Sequence, residues 1–154
     1  MPFQANMVEV RAADLSGTAL HWAVAVAKYG KVFVYPDGGF YPPEGSVSLN
    51  EDDLTLWVNN GLGDHTDEWL PSTNWGQGGP LIDEHVLSLR VAVEPKAGWD
   101  AVGGVKYCAT AIGQDGFERM CFGETRLIAA CRVVVEALLG TFVSVPAELL
   151  AFPS

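Results

Sequence analysis

Two stretches of the sequence carry the hydrophobic spacing of an α-helix, one near each end of the chain. In residues 18–28, alanine and valine recur at steps of three and four residues, after a run of capping residues and before Gly30. Residues 126–139 are apolar apart from two arginines and one glutamate, and they lie between Thr125 and Gly140. Hydroxyl residues favour helix starts, and glycine favours helix ends. The pattern therefore predicts an N-terminal helix and a largely buried C-terminal helix.

The apolar residues elsewhere form short runs or alternate with polar ones, which is typical of β-strands. The segments expected to be strands are 7–10, 32–35, 46–49, 54–58, 86–94, 105–112, 117–122 and 142–145. The pair Asp115-Gly116 lies between two of these segments and predicts a β-hairpin. In the segment 86–94, the residues predicted to face the core are Leu87, Leu89, Val91 and Val93.

The order of these elements is helix, strands, helix, and it predicts the fold class. We expect a single α+β domain over residues 1–154. It would have an N-terminal helix, a central antiparallel sheet with hairpins, and a buried C-terminal helix.

Residues 71–85 fit neither pattern, because glycine and proline are concentrated there. Their sequence is Pro-Ser-Thr-Asn-Trp-Gly-Gln-Gly-Gly-Pro-Leu-Ile-Asp-Glu-His. Glycine permits backbone conformations that other residues avoid, and proline interrupts regular structure. The composition therefore predicts a tightly turned loop, and we interpret this loop as the feature around which the rest of the chain is organised.

Two interpretations of this loop are open. In the first it binds a ligand, because hydroxyls, amides, the Trp75 ring and the N–H groups of glycines suit a sugar, a nucleobase or a phosphate. In the second, Trp75 fills the protein's own core and the glycines permit positive φ in a tight crossover. The segment lacks the lysine of a P-loop, so it is not a nucleotide-hydrolysing P-loop. The candidate ligand-binding residues are Ser72, Thr73, Asn74, Trp75, Gln77, Gly78, Gly79 and Asp83.

The start of the C-terminal helix is a second candidate contact for a ligand. A helix N-terminus attracts anions through its free N–H groups and its dipole, and Arg126 or Arg132 could add positive charge. Thr125 and Arg126 are therefore further candidate ligand-binding residues. The alternative is that Thr125 serves only as an N-cap.

The charge balance limits the partners. Nineteen acidic and nine basic side chains give a formal net charge of −10, which disfavours general binding to nucleic acid or to anionic membranes. No apolar run approaches the roughly 18 to 20 residues of a membrane span, and the N-terminus shows no secretory signal. The cysteines at 108, 121 and 131 form no CxxC pair, so we predict buried free thiols. We expect a cytoplasmic protein with no cofactor and no metal.

Acidic side chains and histidines flank the glycine-rich segment. They are Asp64, His65, Asp67, Glu68, Asp83, Glu84 and His85. Such groups bind metals or act as acids and bases, yet their spacing matches no recognised metal motif. No GxSxG motif marks a nucleophilic serine, and His21 on the first helix is expected to be a packing or surface residue.

Several blocks of the sequence resemble the NinX-like family of small phage proteins. In the family's order they are Leu-Ser-Gly at 15–17, Leu-His-Trp-Ala-Val-Ala at 20–25, the block 71–82, Gly-Trp-Asp-Ala at 98–101 and Gly-Glu-Thr-Arg-Leu-Ile-Ala-Ala-Cys-Arg at 123–132. The block Ser-Thr-x-Trp-x-Gln-Gly-Gly-Pro is the most specific of them. Asn74 departs from the family, which usually has Asp at that position. The resemblance implies a phage or prophage accessory protein in the bacterial cytoplasm, and it implies no particular reaction.

Three functional hypotheses follow. The leading one is a non-catalytic phage protein that binds and sequesters a small polar ligand, such as a host nucleotide immune signal, and so counteracts host defence. The second is an acidic protein-interaction module that inhibits a host protein. The third is a small hydrolase that uses Asp83, Glu84 or His85. A homo-oligomer is compatible with each of them.

Overall fold

The computed structural model describes residues 6–35, 44–59, 66–92 and 106–151. The strands are β1 (Met7–Arg11), β2 (Val32–Tyr35), β3 (Val47–Asn50), β4 (Thr55–Asn59), β5 (Thr66–Glu68), β6 (Ser88–Val91), β7 (Tyr107–Ile112), β8 (Glu118–Gly123) and β9 (Phe142–Pro146). The α-helices are α1 (Gly17–Tyr29), α2 (Trp75–His85) and α3 (Arg126–Leu139), and short 3-10 helices occupy Ala12–Asp14 and Ala147–Ala151. Part of the predicted strand 86–94, the block 98–101 and the positions Asp64 and His65 lie outside the described residues.

The α+β prediction is confirmed, with one helix near each end of the chain. The strands of the described ranges form three small sheets rather than a single central one, with the orders β1-β9, β2-β3-β4-β5 and β6-β7-β8. Between these described strands, each pairing is antiparallel except that of β2 with β3, which is parallel. Apolar alternation predicts which side of a strand is buried, but it does not specify the partner strand or its direction.

The first helix follows its prediction closely. Gly30 ends α1 in the left-handed conformation, with φ of 81°, and its N–H donates to the carbonyl of Val26. Glycine adopts this conformation without steric cost, which is why the helix ends there. The buried face of α1 includes Ala19, Leu20, Ala23 and Val24.

The C-terminal helix α3 is the central packing element, and its predicted bounds are confirmed. Thr125 Oγ1 accepts a hydrogen bond from the Ile128 N–H at 3.1 Å, and Gly140 follows the last turn. One face of α3, including Cys131 and Val134, packs in the cluster that contains α1. Another face, including Val133, packs against the β6-β7-β8 sheet. The burial predicted from the low charge of this segment is therefore explained by apolar contacts on more than one side.

The predicted hairpin is confirmed as β7 and β8, in a register that runs from Tyr107 opposite Gly123 to Ile112 opposite Glu118. A Cβ added at Gly123 would lie 2.5 Å from the backbone nitrogen of Ala129, so glycine allows the sheet to approach α3 closely. The orientation predicted for 86–94 is wrong in part. Leu87, which precedes β6, is 61% exposed, and Val91 at the end of β6 is 42% exposed, whereas Leu89 packs against the core as predicted.

The glycine-rich segment contains the largest difference from the sequence prediction. Residues 75–85 form helix α2 and not a loop, although Pro80 lies inside the helix. The helix begins at an N-cap residue, Asn74, and it buries Gly78 and Leu81. Packing of these two residues overrides the weak helix propensity of the segment.

Candidate functional site

The turn before α2, residues 69–74, is attached to α1 through a buried histidine. His21 Nε2 lies 2.6 Å from Ser72 Oγ, and the Trp69 indole donates to the His21 carbonyl at 2.9 Å. The Ser72 backbone N–H also points at Nε2, at 3.4 Å. Because a backbone N–H can only donate, Nε2 accepts, and the Ser72 hydroxyl donates to it as well. Burial lowers the pKa of His21 to about 4, so the ring is neutral at pH 7.

Two of the predicted ligand-binding side chains hold this turn in place. Gln77 Oε1 accepts from the Leu70 N–H at 2.6 Å, and its amide nitrogen donates to the Glu68 carbonyl at 2.8 Å. Asn74 Oδ1 accepts from the Gly76 N–H at 2.8 Å and caps α2. An aspartate, the residue usual in the family at this position, would cap the helix in the same way. These amides are therefore engaged within the chain.

The two predicted glycines have different surroundings. A Cβ added at Gly78 would overlap the carbonyl oxygen of Pro71 and would lie 2.6 Å from Cδ2 of Leu127. A Cβ at Gly79 would meet no atom within 4 Å. The N–H of Gly78 donates to the Asn74 carbonyl within the helix. Gly78 is thus a packing residue that lets α2 contact α3, and it presents no free N–H to a ligand.

Five of the six remaining candidates meet in a surface groove between the start of α2 and the start of α3. The groove has a volume of about 400 Å³, and it is lined by Ser72, Thr73, Trp75, Tyr107, Glu124, Thr125, Arg126 and Leu127. Five of the ten predicted residues therefore lie together, although they come from two segments about 50 residues apart in the sequence. We call this feature the Trp75–Arg126 groove.

Trp75 and Arg126 give the groove its chemical character. The Trp75 side chain is 56% exposed, so the interpretation that it fills the core is wrong. The Arg126 Cζ lies 4.5 Å from the centroid of the Tyr107 ring, a cation–π contact that orients the guanidinium. Glu124 is exposed on the same rim. An aromatic surface, a cation and a carboxylate thus border one open space.

The acidic candidates are placed elsewhere. Asp83 is exposed near the end of α2 and is not among the described residues that line the groove. His85 Nε2 lies 3.6 Å from Glu84 Oε2; these are the last two residues of α2, with His85 partly exposed and Glu84 exposed. Nothing in the described ranges groups three or more His, Cys, Asp or Glu side chains in a way that could hold a metal ion. Among the described residues that line the groove, none of the three candidates of the hydrolase hypothesis, Asp83, Glu84 and His85, is present.

The cysteine prediction is confirmed, since Cys108, Cys121 and Cys131 are buried free thiols. Burial raises the pKa of Cys131 to about 12. The same cause, reinforced by the Glu136 carboxylate, raises the pKa of Cys121 to about 12. Both groups are therefore protonated at pH 7, and neither is an activated nucleophile.

Sequence analysis did not identify His21, Tyr107 or Glu124 as parts of this region. The contact between His21 and Ser72 joins residues 51 positions apart, and no local motif signals it. Tyr107 meets Arg126 only because β7 packs beside the start of α3.

In the described part of the chain, no helix has the length and apolar character needed to cross a membrane.

The fold and the groove define a small α+β protein whose distinctive segments are α2, α3 and the turn between residues 69 and 74. A model of the family described as Bacteriophage P22, NinX matches residues 11–137. The chain belongs to this NinX family of phage proteins, which confirms the resemblance drawn from its sequence blocks. The match includes α1, α2 and most of α3, and hence every residue that lines the Trp75–Arg126 groove. No curated protein matches the chain.

Proposed function

We propose that this NinX family member is a phage accessory protein that binds a small anionic aromatic ligand of the nucleotide class in the Trp75–Arg126 groove. It acts in the cytoplasm of the bacterial host, where it sequesters the ligand and counteracts a host defence signal. The observation that carries this proposal is an exposed tryptophan beside an arginine in one groove.

Trp75 supports the aromatic part of the proposed ligand. A large apolar ring that is more than half exposed gains little from the protein's own packing, so a stacking partner would stabilise it. Stacking of a base on an aromatic side chain contributes about 1–3 kcal/mol, and it tolerates different bases. Thr73 lines the same groove and is exposed, so its hydroxyl suits the sugar part.

Arg126 supports the anionic part. The chain carries a net charge of −10, so capture of a small anion requires a local cation. Arg126 is the one cationic residue among those that line the described groove. Its guanidinium stacks on Tyr107 through one face, which leaves its N–H edges available for bidentate contact with a phosphate.

Glu124 narrows the class of ligand further. A carboxylate on the rim repels a ligand that consists only of negative charge, such as inorganic phosphate. It accepts hydrogen bonds from hydroxyl or amino groups, which nucleosides carry. The groove is therefore matched to a mixed ligand with an aromatic ring, hydrogen-bond donors and one anionic group.

Isothermal titration of the purified protein against nucleoside monophosphates, cyclic dinucleotides and sugar phosphates tests this proposal. We expect binding of at least one nucleotide, weakened about 5- to 150-fold by Trp75→Ala because the stacking contribution is lost. Phe117→Ala is the matched control, since Phe117 is 71% exposed at the hairpin turn and does not line the groove. Absence of heat with every nucleotide at millimolar concentration would refute the proposal.

The contribution of the cation is tested separately. Arg126→Gln should weaken nucleotide binding and reduce its dependence on salt, because a charge-assisted contact is removed. Arg11→Gln is the matched control, because the Arg11 guanidinium also lies over an aromatic ring, at 5.7 Å from the Phe142 centroid, outside the groove. Equal losses in both variants would show that net charge and not the groove governs binding.

A second function, interaction with a host protein, is favoured by one observation. The side of the hairpin turned away from α3 presents exposed Ile112, Met120 and Phe122, which lie on one face according to the strand register. Clustered exposed apolar side chains are typical of protein contacts. A stable host-protein complex that is lost with Phe122→Asp and unaffected by Trp75→Ala would favour this function over ligand binding.

A further inference from the structure

The hydrogen bond that attaches the turn 69–74 to α1 also joins a groove-lining serine to a buried imidazole. We propose that Ser72 is a nucleophile with His21 as its general base, and that the protein hydrolyses a carboxylic ester whose anionic group is held at Arg126. The inference uses the Trp75–Arg126 groove but requires neither nucleotide binding nor the residues 83–85.

The hydrogen bond between Ser72 and His21 has the direction that such chemistry needs, with the serine hydroxyl as donor and the imidazole nitrogen as acceptor. Ser72 Oγ lies 2.6 Å from His21 Nε2, within the distance at which a base can remove a hydroxyl proton. The Ser72 backbone N–H is directed at the same nitrogen, which marks Nε2 as the unprotonated, accepting atom. The opposite tautomer would place an N–H against Oγ and would leave the serine without a base.

The surroundings hold both partners in place. His21 lies within helix α1, which restrains its backbone, and its carbonyl accepts a hydrogen bond from the Trp69 indole at 2.9 Å. Ser72 lies in the turn whose backbone is held by Gln77, directly before α2. Burial lowers the pKa of His21 to about 4, so the imidazole is neutral and free to accept a proton at pH 7, and the imidazolium formed in the reaction carries a desolvation cost. A pair restrained in this way meets the positional requirement of nucleophilic catalysis.

The proposed reaction is an ordinary acyl transfer to water. Ser72 Oγ attacks the ester carbonyl carbon while its proton passes to His21 Nε2. The bond between that carbon and the alcohol oxygen then breaks, and the departing alkoxide takes the proton from Nε2. Water attacks the acyl-serine and gives a proton to Nε2, and the carboxylic acid leaves as Ser72 recovers that proton. The sum is ester plus water giving acid plus alcohol.

Other candidate nucleophiles in the described residues are less suited. The thiols of Cys121 and Cys131 are buried and kept protonated by their raised pKa values. The hydroxyl of Ser88 lies 2.6 Å from that of Thr110, which provides no base. Ser88 is for this reason a suitable control for Ser72.

The test is covalent labelling of the full chain with a fluorophosphonate probe, which reacts with serines activated by a neighbouring base. We expect one probe per chain by intact mass, located on the peptide that contains Ser72, and none on Ser72→Ala. His21→Gln should slow labelling at least 100-fold, the scale of general-base assistance. Ser88→Ala and His85→Gln should label at the wild-type rate. Circular dichroism melting of each variant separates loss of the base from loss of the fold.

The wild-type protein alone decides the main question. Absence of labelling, together with no hydrolysis of p-nitrophenyl acetate above the buffer rate, would overturn the inference whatever the variants do. Labelling that persists unchanged in a folded His21→Gln protein would overturn the role of the base. Labelling of Ser72 without any nucleotide binding would support this inference and reject the proposed function, so the two can fail separately.

Discussion

His21 lies on the buried face of α1, where only 4% of its surface is exposed, and protonation of its ring should destabilise the fold. Burial lowers the pKa of the folded protein's His21 from 6.5 to about 4. Between these values the unfolded chain binds a proton that the folded chain excludes. The stability that depends on the neutral His21 ring is therefore present above pH 6.5, and it is lost as the pH falls toward 4.

The size of the effect follows from the two pKa values. A shift from 6.5 to about 4 corresponds to about 3 kcal/mol in the free energy of unfolding when the whole range is crossed. Between pH 7 and pH 5, linkage gives a loss of about 2 kcal/mol from this one group. That is a large part of the 5–15 kcal/mol typical of a folded domain.

Urea unfolding at pH 7 and pH 5 measures this loss. Carboxylates also titrate in this range, so the informative quantity is the difference between wild type and His21→Gln. The wild type should lose about 2 kcal/mol more than His21→Gln, because glutamine does not ionise. His85→Gln, at a partly exposed histidine, serves as the control and should follow the wild type. Equal pH dependence in wild type and His21→Gln would refute the argument.

Four further predictions concern the segments that form the groove, and each is checked by the urea midpoint at pH 7. Gly78→Ala should destabilise by about 3 kcal/mol, because a Cβ there overlaps the Pro71 carbonyl. Gly79→Ala, on the same helix with open space around it, should be neutral or stabilising by up to about 1 kcal/mol. Thr125→Ala should cost about 1 kcal/mol through loss of the α3 N-cap, and Thr125→Ser should restore it. Gln77→Ala should cost about 1–3 kcal/mol because two backbone groups lose their partner; a stable Gln77→Ala would contradict its structural role.

The candidate residues were predicted from composition, and the structure brings five of the ten together in one groove. Trp75 and Arg126 were candidates, and they border one groove. Asn74 and Gln77 were candidates for the same reason, yet their amides are hydrogen-bonded within the chain. A polar side chain in a glycine-rich segment has the same composition whether it faces a ligand or its own backbone. Only its hydrogen-bond partner distinguishes these cases.

Helix α2 shows why this segment was predicted as a loop. Three glycines and one proline within eleven residues oppose a helix by about 5 kcal/mol in intrinsic propensity. Contacts distant in sequence compensate for that cost, including burial of Leu81 and the close approach of Gly78 to Leu127. A short window of sequence shows the low helix propensity of this segment, but it does not contain the distant residues whose contacts compensate for that propensity.

The sequence by itself determined the elements whose signals are local. Helices α1 and α3 and the β7–β8 hairpin follow from spacing, caps and a turn pair, because the interacting residues lie within a few positions of each other. The tertiary structure decided the division into three sheets, helix α2, the Trp75–Arg126 groove and the bond between His21 and Ser72. Each of these depends on residues tens of positions apart in the sequence. The packing of α1, α2 and the β6-β7-β8 sheet around α3 brings these residues together.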